Sequence, residues 1–267
     1  YQKEELNKLG SYYQKNFKDV IILGTGGSSK AGRTFVQIAY RTFGRSPKFP
    51  KITFLENIDF QDFNDLFKKV NLKKTGVIVI SKSGETNETL IQFLVFLSKF
   101  KTNFKKEEIQ KHFTVITKKE NSSLRNLAKS FSIDTIEIDS DLSGRFSAFS
   151  PVGLLPAAIS GLDITKINQG ALSLLKKSLK KVQTTPFEGA ALHFAAQKSR
   201  INISVLLTYT ERLRNFGYWH EQLMAESLGK KNIGFTPIHS MGATDQHSLL
   251  QLFLEGPKDK LITFITL

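Results

Sequence analysis

Cysteine is absent from the 267 residues. That excludes disulfides, thiolate metal sites and a cysteine nucleophile, and it accords with a cytoplasmic setting. No apolar run approaches the roughly 20 residues of a membrane-spanning helix, so no membrane partner is expected. Acidic residues are scarce: 24 Asp and Glu stand against 38 Lys and Arg, for a formal charge of +14. Such an excess can mark a nucleic-acid binder. Here the lysines come as scattered pairs, among them Lys68-Lys69, Lys118-Lys119 and Lys230-Lys231. Each pair falls in an expected loop or on a solvated helix face, and neither a zinc-ligand spacing nor an aromatic RNA-binding motif accompanies it. The expectation is therefore a lysine-rich surface that favours anionic small molecules, with no nucleic acid and no metal. Hydrophobic residues make up 40%, an ordinary share for a globular chain.

What is present is organised around Val77 to Leu90. Val77-Ile78-Val79-Ile80 has the character of a buried strand, and Leu90 to Leu97 that of a buried helix. Between them lies Ser81-Lys82-Ser83-Gly84-Glu85-Thr86. A strand that ends in such a loop and opens into a helix directs unpaired N–H groups at one spot. Ser81, Ser83 and Thr86 can each donate a hydrogen bond there, which suits a phosphate. An ordinary N-cap, with Thr86 as cap and Glu88 or Thr89 in support, would also account for the stretch. Upstream, a strand at Asp19 to Leu23 runs into Gly24-Thr25-Gly26-Gly27-Ser28-Ser29 and a helix from Ala31 to Phe43. This second glycine-rich turn lacks the third glycine of a dinucleotide fingerprint, since Ser29 stands in its place. It is not a P-loop either, because no Gly-Lys-[Ser/Thr] closes it.

Further strands are expected at Ile52 to Glu56, His112 to Thr117 and Thr135 to Ile138. Helices are expected from about Asp59 to Val70 and from Ser122 to Phe131, with a charged connection over 101–111. The alternation over residues 17–140 predicts a doubly wound parallel α/β sheet, with ligands at the carboxyl ends of its strands. Gly144-Arg145-Phe146-Ser147 follows the fifth strand at that edge, where Arg145 can approach a ligand. A helical hinge is expected over 157–181, a break at Thr184-Thr185-Pro186, and a domain boundary near residue 165.

The second half repeats the alternation. Helices are expected at Pro186 to Lys198, Leu213 to Leu228 and Asp245 to Leu254, and extended segments at Ile201 to Tyr209, Phe235 to Ile238 and Leu261 to Thr266. Gln222 and Glu226 share a helix face at i and i+4. Glu226 lies near the negative end of that helix, where a carboxylate is disfavoured by the dipole unless function or a pairing with Lys230 retains it. His247 opens another helix, where it can serve as acid or base. The chain begins at Tyr1 rather than Met and stops after a strand with no covering helix, so a C-terminal piece is expected to be absent.

Five motifs, Gly24-Thr25-Gly26-Gly27-Ser28, Ser81-Lys82-Ser83-Gly84-Glu85-Thr86, Gly144-Arg145-Phe146-Ser147, Glu226-Ser227-Leu228-Gly229-Lys230 and Gln246-His247-Ser248, stand in the order and approximate spacing of the glucose-6-phosphate isomerase family, which this chain closely resembles. The resemblance implies two sugar-isomerase (SIS) domains of three-layer αβα form, here 1–165 and a truncated 166–267. It further implies a cytoplasmic homodimer with shared active sites and an interconversion of glucose 6-phosphate and fructose 6-phosphate without metal or cofactor. By the same resemblance Glu226 is the base, Arg145 stabilises the enediolate, and His247, from the neighbouring subunit, helps open the ring. Ser81, Lys82, Ser83 and Thr86 hold the phosphate with Gly27 and Ser28 beside them, and Gln222 touches phosphate or sugar.

Three departures stand out. Gly84-Glu85 replaces the common Phe-Thr, which is expected to bring a carboxylate near the phosphate. Leu228 replaces an asparagine or glutamate, and no segment carries the ring-opening lysine. The last makes the chain as given an expected poor catalyst. A non-catalytic sugar-phosphate-binding SIS regulator and an isomerase for another phosphosugar are the alternatives.

Overall fold

The computed structural model describes residues 3–40, 46–180 and 185–266. The chain divides into two compact units, Tyr1–Leu162 and Asp163–Leu267. The first is built on five parallel strands: β1 (Asp19–Leu23), β2 (Lys51–Leu55), β3 (Thr75–Ile80), β4 (Phe113–Lys118) and β5 (Asp134–Ile138). Their order is β2-β1-β3-β4-β5. All six residues of β3 are buried, as a central parallel strand with helices on both faces requires.

Side chains alternate across this sheet. Ile21, Leu23, Val77, Val79 and Val115 join one core with α3 (Phe60–Lys69), α4 (Asn87–Lys101) and α6 (Ser123–Ser130), through Phe63, Phe93, Phe96, Phe100 and Leu124. The i, i+3, i+7 spacing of the three α4 phenylalanines keeps them on one helix face. Truncating any of them to alanine would cost about 3–5 kcal/mol. The other face carries α1 (Lys3–Asn16), α2 (Lys30–Ala39) and α7 (Pro151–Ile159), with α7 packed on both α1 and α2. Buried Tyr13 of α1 places its hydroxyl 2.8 Å from Thr114 Oγ1. Burial pushes its phenol pKa up, so it stays a neutral donor.

The chain leaves β1 for β2 on one side and then crosses to β3 on the other. The switch point therefore lies between the carboxyl ends of β1 and β3, where open α/β sheets bind ligands. Both glycine- and serine-rich loops emerge there.

The second unit comprises α8 (Ile164–Leu179), α9 (Thr185–Lys198), β6 (Ile203–Thr208), α10 (Arg214–Leu228), β7 (Thr236–Met241), α11 (Gln246–Glu255) and β8 (Lys260–Ile265). Its parallel sheet has the order β7-β6-β8, the same winding as β2-β1-β3. Val205, Leu206 and Leu207 of the middle strand are buried, whereas Phe264 of β8 is 60% exposed. Among the described residues no helix is long and apolar enough to cross a membrane.

Several expected boundaries are corrected. The stretch over 157–181 is not one helix. Ser150 caps α7 by accepting from Val152 N, and Pro151 opens it. The chain then turns at Gly161, whose φ is +91°, and Asp163 caps α8 by accepting from Thr165 N and Lys166 N. Two cap residues make two helices. Thr185 and Pro186 lie inside the start of α9, where proline's missing N–H costs nothing; Thr184 falls outside the described residues. The helix expected to reach Phe43 ends at Ala39, because the backbone of Tyr40 is already extended at ψ 120°. The charged connection over 101–111 holds a short helix, α5 (Lys106–Ile109), numbered between α4 and α6.

Candidate active site

Ser81 is buried at the carboxyl end of β3 and held to β4 by its amide, which donates to Ile116 O. Its Oγ lies 3.0 Å from Thr86 Oγ1, and Ser83 Oγ lies 3.4 Å from the same atom. Ser81 Oγ accepts from Gly84 N (3.1 Å), and Ser83 Oγ from Glu85 N (3.2 Å). Each serine oxygen is thus already an acceptor, which leaves its proton to donate. Thr86 occupies the N-cap position of α4 but makes no side-chain capping bond. The capping expectation is corrected: the hydroxyl turns toward Ser81 and Ser83. Three hydroxyls therefore cluster where α4 begins, beside amides that the cap residue leaves uncapped. Lys82 is half-buried in the same loop, its carbonyl accepting from Lys118 N.

The loop after β1 meets this one across the switch point. A Cβ on Gly24 would lie 2.8 Å from Ile80 O. Gly27 packs against the backbone of Gly144 and Arg145, and a Cβ there would fall 2.4 Å from Gly144 C. Ser147 Oγ clamps the contact, lying 3.1 Å from Gly27 O and 2.6 Å from Gly144 O. Half-buried Ser28 follows in the same turn. Arg145 donates from Nη1 to Ser143 Oγ (2.8 Å) and lies over the Phe146 ring at 4.5 Å. A guanidinium held this way is a pre-organised cation. Gly27, Ser28, Ser81, Lys82, Ser83, Thr86 and Arg145 thus belong to one carboxyl edge.

In the second unit, Gln222 Nε2 donates to Glu226 Oε1 at 2.7 Å, so the expected i, i+4 pair is formed. Gln222 Oε1 is buried and has no hydrogen-bond partner. Glu226 is exposed in the last turn of α10, at the amino-terminal edge of the small sheet. Earlier in that helix, Glu221 Oε1 accepts from His239 N in mid-β7 (2.8 Å). His247 is exposed in the first turn of α11, which follows the carboxyl end of β7. Glu226 and His247 therefore lie at opposite edges of the same sheet, a separation of about 20 Å for six-residue strands.

The family model for phosphoglucose isomerase matches residues 6–266. The chain belongs to the phosphoglucose isomerase family. It is 37% identical over 263 residues to the probable glucose-6-phosphate isomerase of Methanococcus maripaludis, covering 98% of this chain and 58% of that protein. It is 34% identical over 264 residues to the glucose-6-phosphate isomerase of Methanocaldococcus jannaschii, covering 98% and 63%. The chain thus spans less than two thirds of these curated relatives. Among solved structures, a hypothetical protein from Thermus thermophilus superposes with a TM-score of 0.87 at 31% identity, over 98% of this chain and 63% of that one. The glucose-6-phosphate isomerase of Chlamydia trachomatis superposes with a TM-score of 0.82 at 22% identity, over 98% and 52%, a likeness of fold.

In this phosphoglucose isomerase family member, three supports are not visible in the sequence. Ser147 is part of a recognised motif, but its clamp on Gly27 needs the fold to bring together positions 120 apart. Glu56, just past β2, accepts from Ser29 Oγ and pairs with Arg33, fixing the start of α2. Glu85, expected to carry a carboxylate near the phosphate site, does not leave that carboxylate free. Its oxygens instead accept from Ser123 N and Ser123 Oγ, both at 2.7 Å. These bonds hold its carboxyl below the usual carboxylate range.

Proposed function

We propose that this chain carries the active-site machinery of an aldose–ketose isomerase that interconverts glucose 6-phosphate and fructose 6-phosphate, working as a cytoplasmic homodimer. The observation that carries the reading is the Ser81–Ser83–Thr86 hydroxyl cluster at the β1/β3 switch point, with Gly27 and Arg145 on the same edge. Three hydroxyls that can turn from one another to a ligand, together with the first amides of α4, suit a phosphate dianion. The names of the curated relatives supply the sugar.

The shift between aldose and ketose moves one proton between neighbouring carbons through an enediol, and one carboxylate suffices as base. Glu226 takes that role. Gln222 orients it, and the unpartnered Gln222 Oε1 supplies an acceptor for a sugar hydroxyl. Arg145 stabilises the charge that develops on the enediolate oxygen, and His247 assists ring opening. The placement of Glu226 and His247 at opposite sheet edges supports sites shared between subunits, since a hexose phosphate is much shorter than the strands between them.

Replacing both Ser81 and Thr86 with alanine tests the phosphate assignment. Each hydrogen bond lost to a charged group weakens binding by about 1.5–3 kcal/mol. Fructose 6-phosphate affinity, measured by calorimetry, is expected to fall by at least about ten-fold, with a modest drop in the unfolding midpoint because Ser81→Ala leaves Gly84 N without its acceptor. Unchanged affinity in the double variant contradicts the reading. A non-catalytic sugar-phosphate binder would pass this test as well, and is separated from the isomerase by the proton-exchange measurement on Glu226.

A further inference from the structure

We infer that Glu85 is a positioning residue: it straps the phosphate loop to the N-terminus of α6 and thereby sets the loop's affinity for the sugar phosphate. The inference rests on the isomerase reading for its ligand, and on the hydrogen bonds alone for the strap.

A helix leaves its first amides without internal partners. In α6 the first two are taken by a different loop. Ser123 N donates to Glu85 Oε1 at 2.7 Å, and Leu124 N donates to Gly84 O at 3.0 Å. The third, Arg125 N, goes to Ser122 Oγ at 3.3 Å. Ser123 Oγ donates to the second carboxylate oxygen of Glu85 at 2.7 Å. A carboxylate is well placed there, since the helix dipole presents its positive end. The two loops are also in van der Waals contact: a Cβ on Gly84, whose φ is +70°, would meet Ser122 Oγ at 2.2 Å.

The same two residues hold the phosphate hydroxyls from the other side. Gly84 N donates to Ser81 Oγ and Glu85 N to Ser83 Oγ. Their amides therefore orient Ser81 and Ser83, while their oxygens hold α6. Without the strap, the orientation of Ser81 and Ser83 would depend on the loop's own bonds. Simple charge repulsion makes the opposite prediction, because a carboxylate within a phosphate loop should weaken anion binding and its removal should tighten it. The sign of the effect decides between the two.

The test compares Glu85→Ala and Glu85→Gln with the parent chain, using fructose 6-phosphate titrations and amide hydrogen exchange. Glutamine keeps an acceptor for Ser123 N and removes the charge; alanine removes both. The strap predicts that Glu85→Ala weakens fructose 6-phosphate binding by about 2- to 10-fold and accelerates exchange at Ser123 and Gly84, while Glu85→Gln stays within about two-fold of the parent. Ser123→Ala, which deletes only the hydroxyl partner, is expected to weaken binding less than Glu85→Ala and to add nothing when combined with it. Tighter or unchanged binding in Glu85→Ala, with exchange at Ser123 and Gly84 unchanged, overturns the inference. A parent chain that does not bind fructose 6-phosphate would refute the isomerase reading, and exchange at Ser123 and Gly84 then decides the strap by itself.

Discussion

Gly27 sets the tolerance of the site at the scale of single residues. A methyl group there would occupy the space of the Gly144 and Arg145 backbone. Backbone cannot rotate aside as a side chain can, so Gly27→Ala must push the Arg145 turn away from the β1 loop. Overpacking of this kind costs about 1–3 kcal/mol. We expect a lower urea midpoint together with weaker fructose 6-phosphate binding. A variant with parent-like stability and affinity would show that the two loops are free to separate. The glycines and hydroxyls of these loops are legible in the sequence because a strand–loop–helix turn that gathers such residues is a local pattern. Their supports are not. Ser147, Glu56 and Glu85 act on residues brought close by strand pairing, and a serine or glutamate in a loop has no spacing that announces such a contact.

At the scale of elements, the strands and the longer helices follow the apolar pattern closely. The β-branched run of β3 and the phenylalanine spacing of α4 both report burial directly. The division of α7 from α8 escapes the pattern because the run through Leu154 to Ile159 is apolar on every face, so periodicity gives no end point. The signals that mark it are local, namely Ser150-Pro151, Gly161 and Asp163.

The histidines of the second unit give a prediction at this scale. Burial lowers the pKa of His220, with His193 and His239 adding to it. Burial also lowers that of His239, where Glu221 opposes the shift. A histidine whose folded pKa is depressed binds its proton less well in the folded state than in the unfolded one. Its stabilisation is complete above the ordinary value of 6.5 and is lost as pH falls through 6.5 toward the lowered values. The urea midpoint of the second unit should therefore fall between about pH 7.5 and about pH 5. Trp219, the single tryptophan and a part of α10, reports it. His220→Gln should flatten that dependence; an equal slope in the variant would exclude His220 as a source.

At the scale of the whole molecule, the question is which subunit supplies which catalytic group. Glu226 and His247 stand at opposite edges of one small sheet, so one subunit is expected to supply each of them to a different sugar. Subunits carrying Glu226→Gln, mixed with subunits carrying His247→Ala at natural chain length, should regain up to about a quarter of the parental isomerase activity, for a dimer in which half the mixed species hold one intact site. Absence of recovery in heterodimers shown to form would contradict shared sites.

Proton transfer by Glu226 is the central claim, and exchange at C2 of glucose 6-phosphate in deuterated water measures it most directly. The parent at its natural length should incorporate deuterium at that carbon. Glu226→Gln keeps the hydrogen-bonding shape beside Gln222 and loses the base, so it should bind the sugar phosphate with near-parental affinity and exchange at least about 10²-fold more slowly. Exchange at the parental rate in Glu226→Gln would contradict the account.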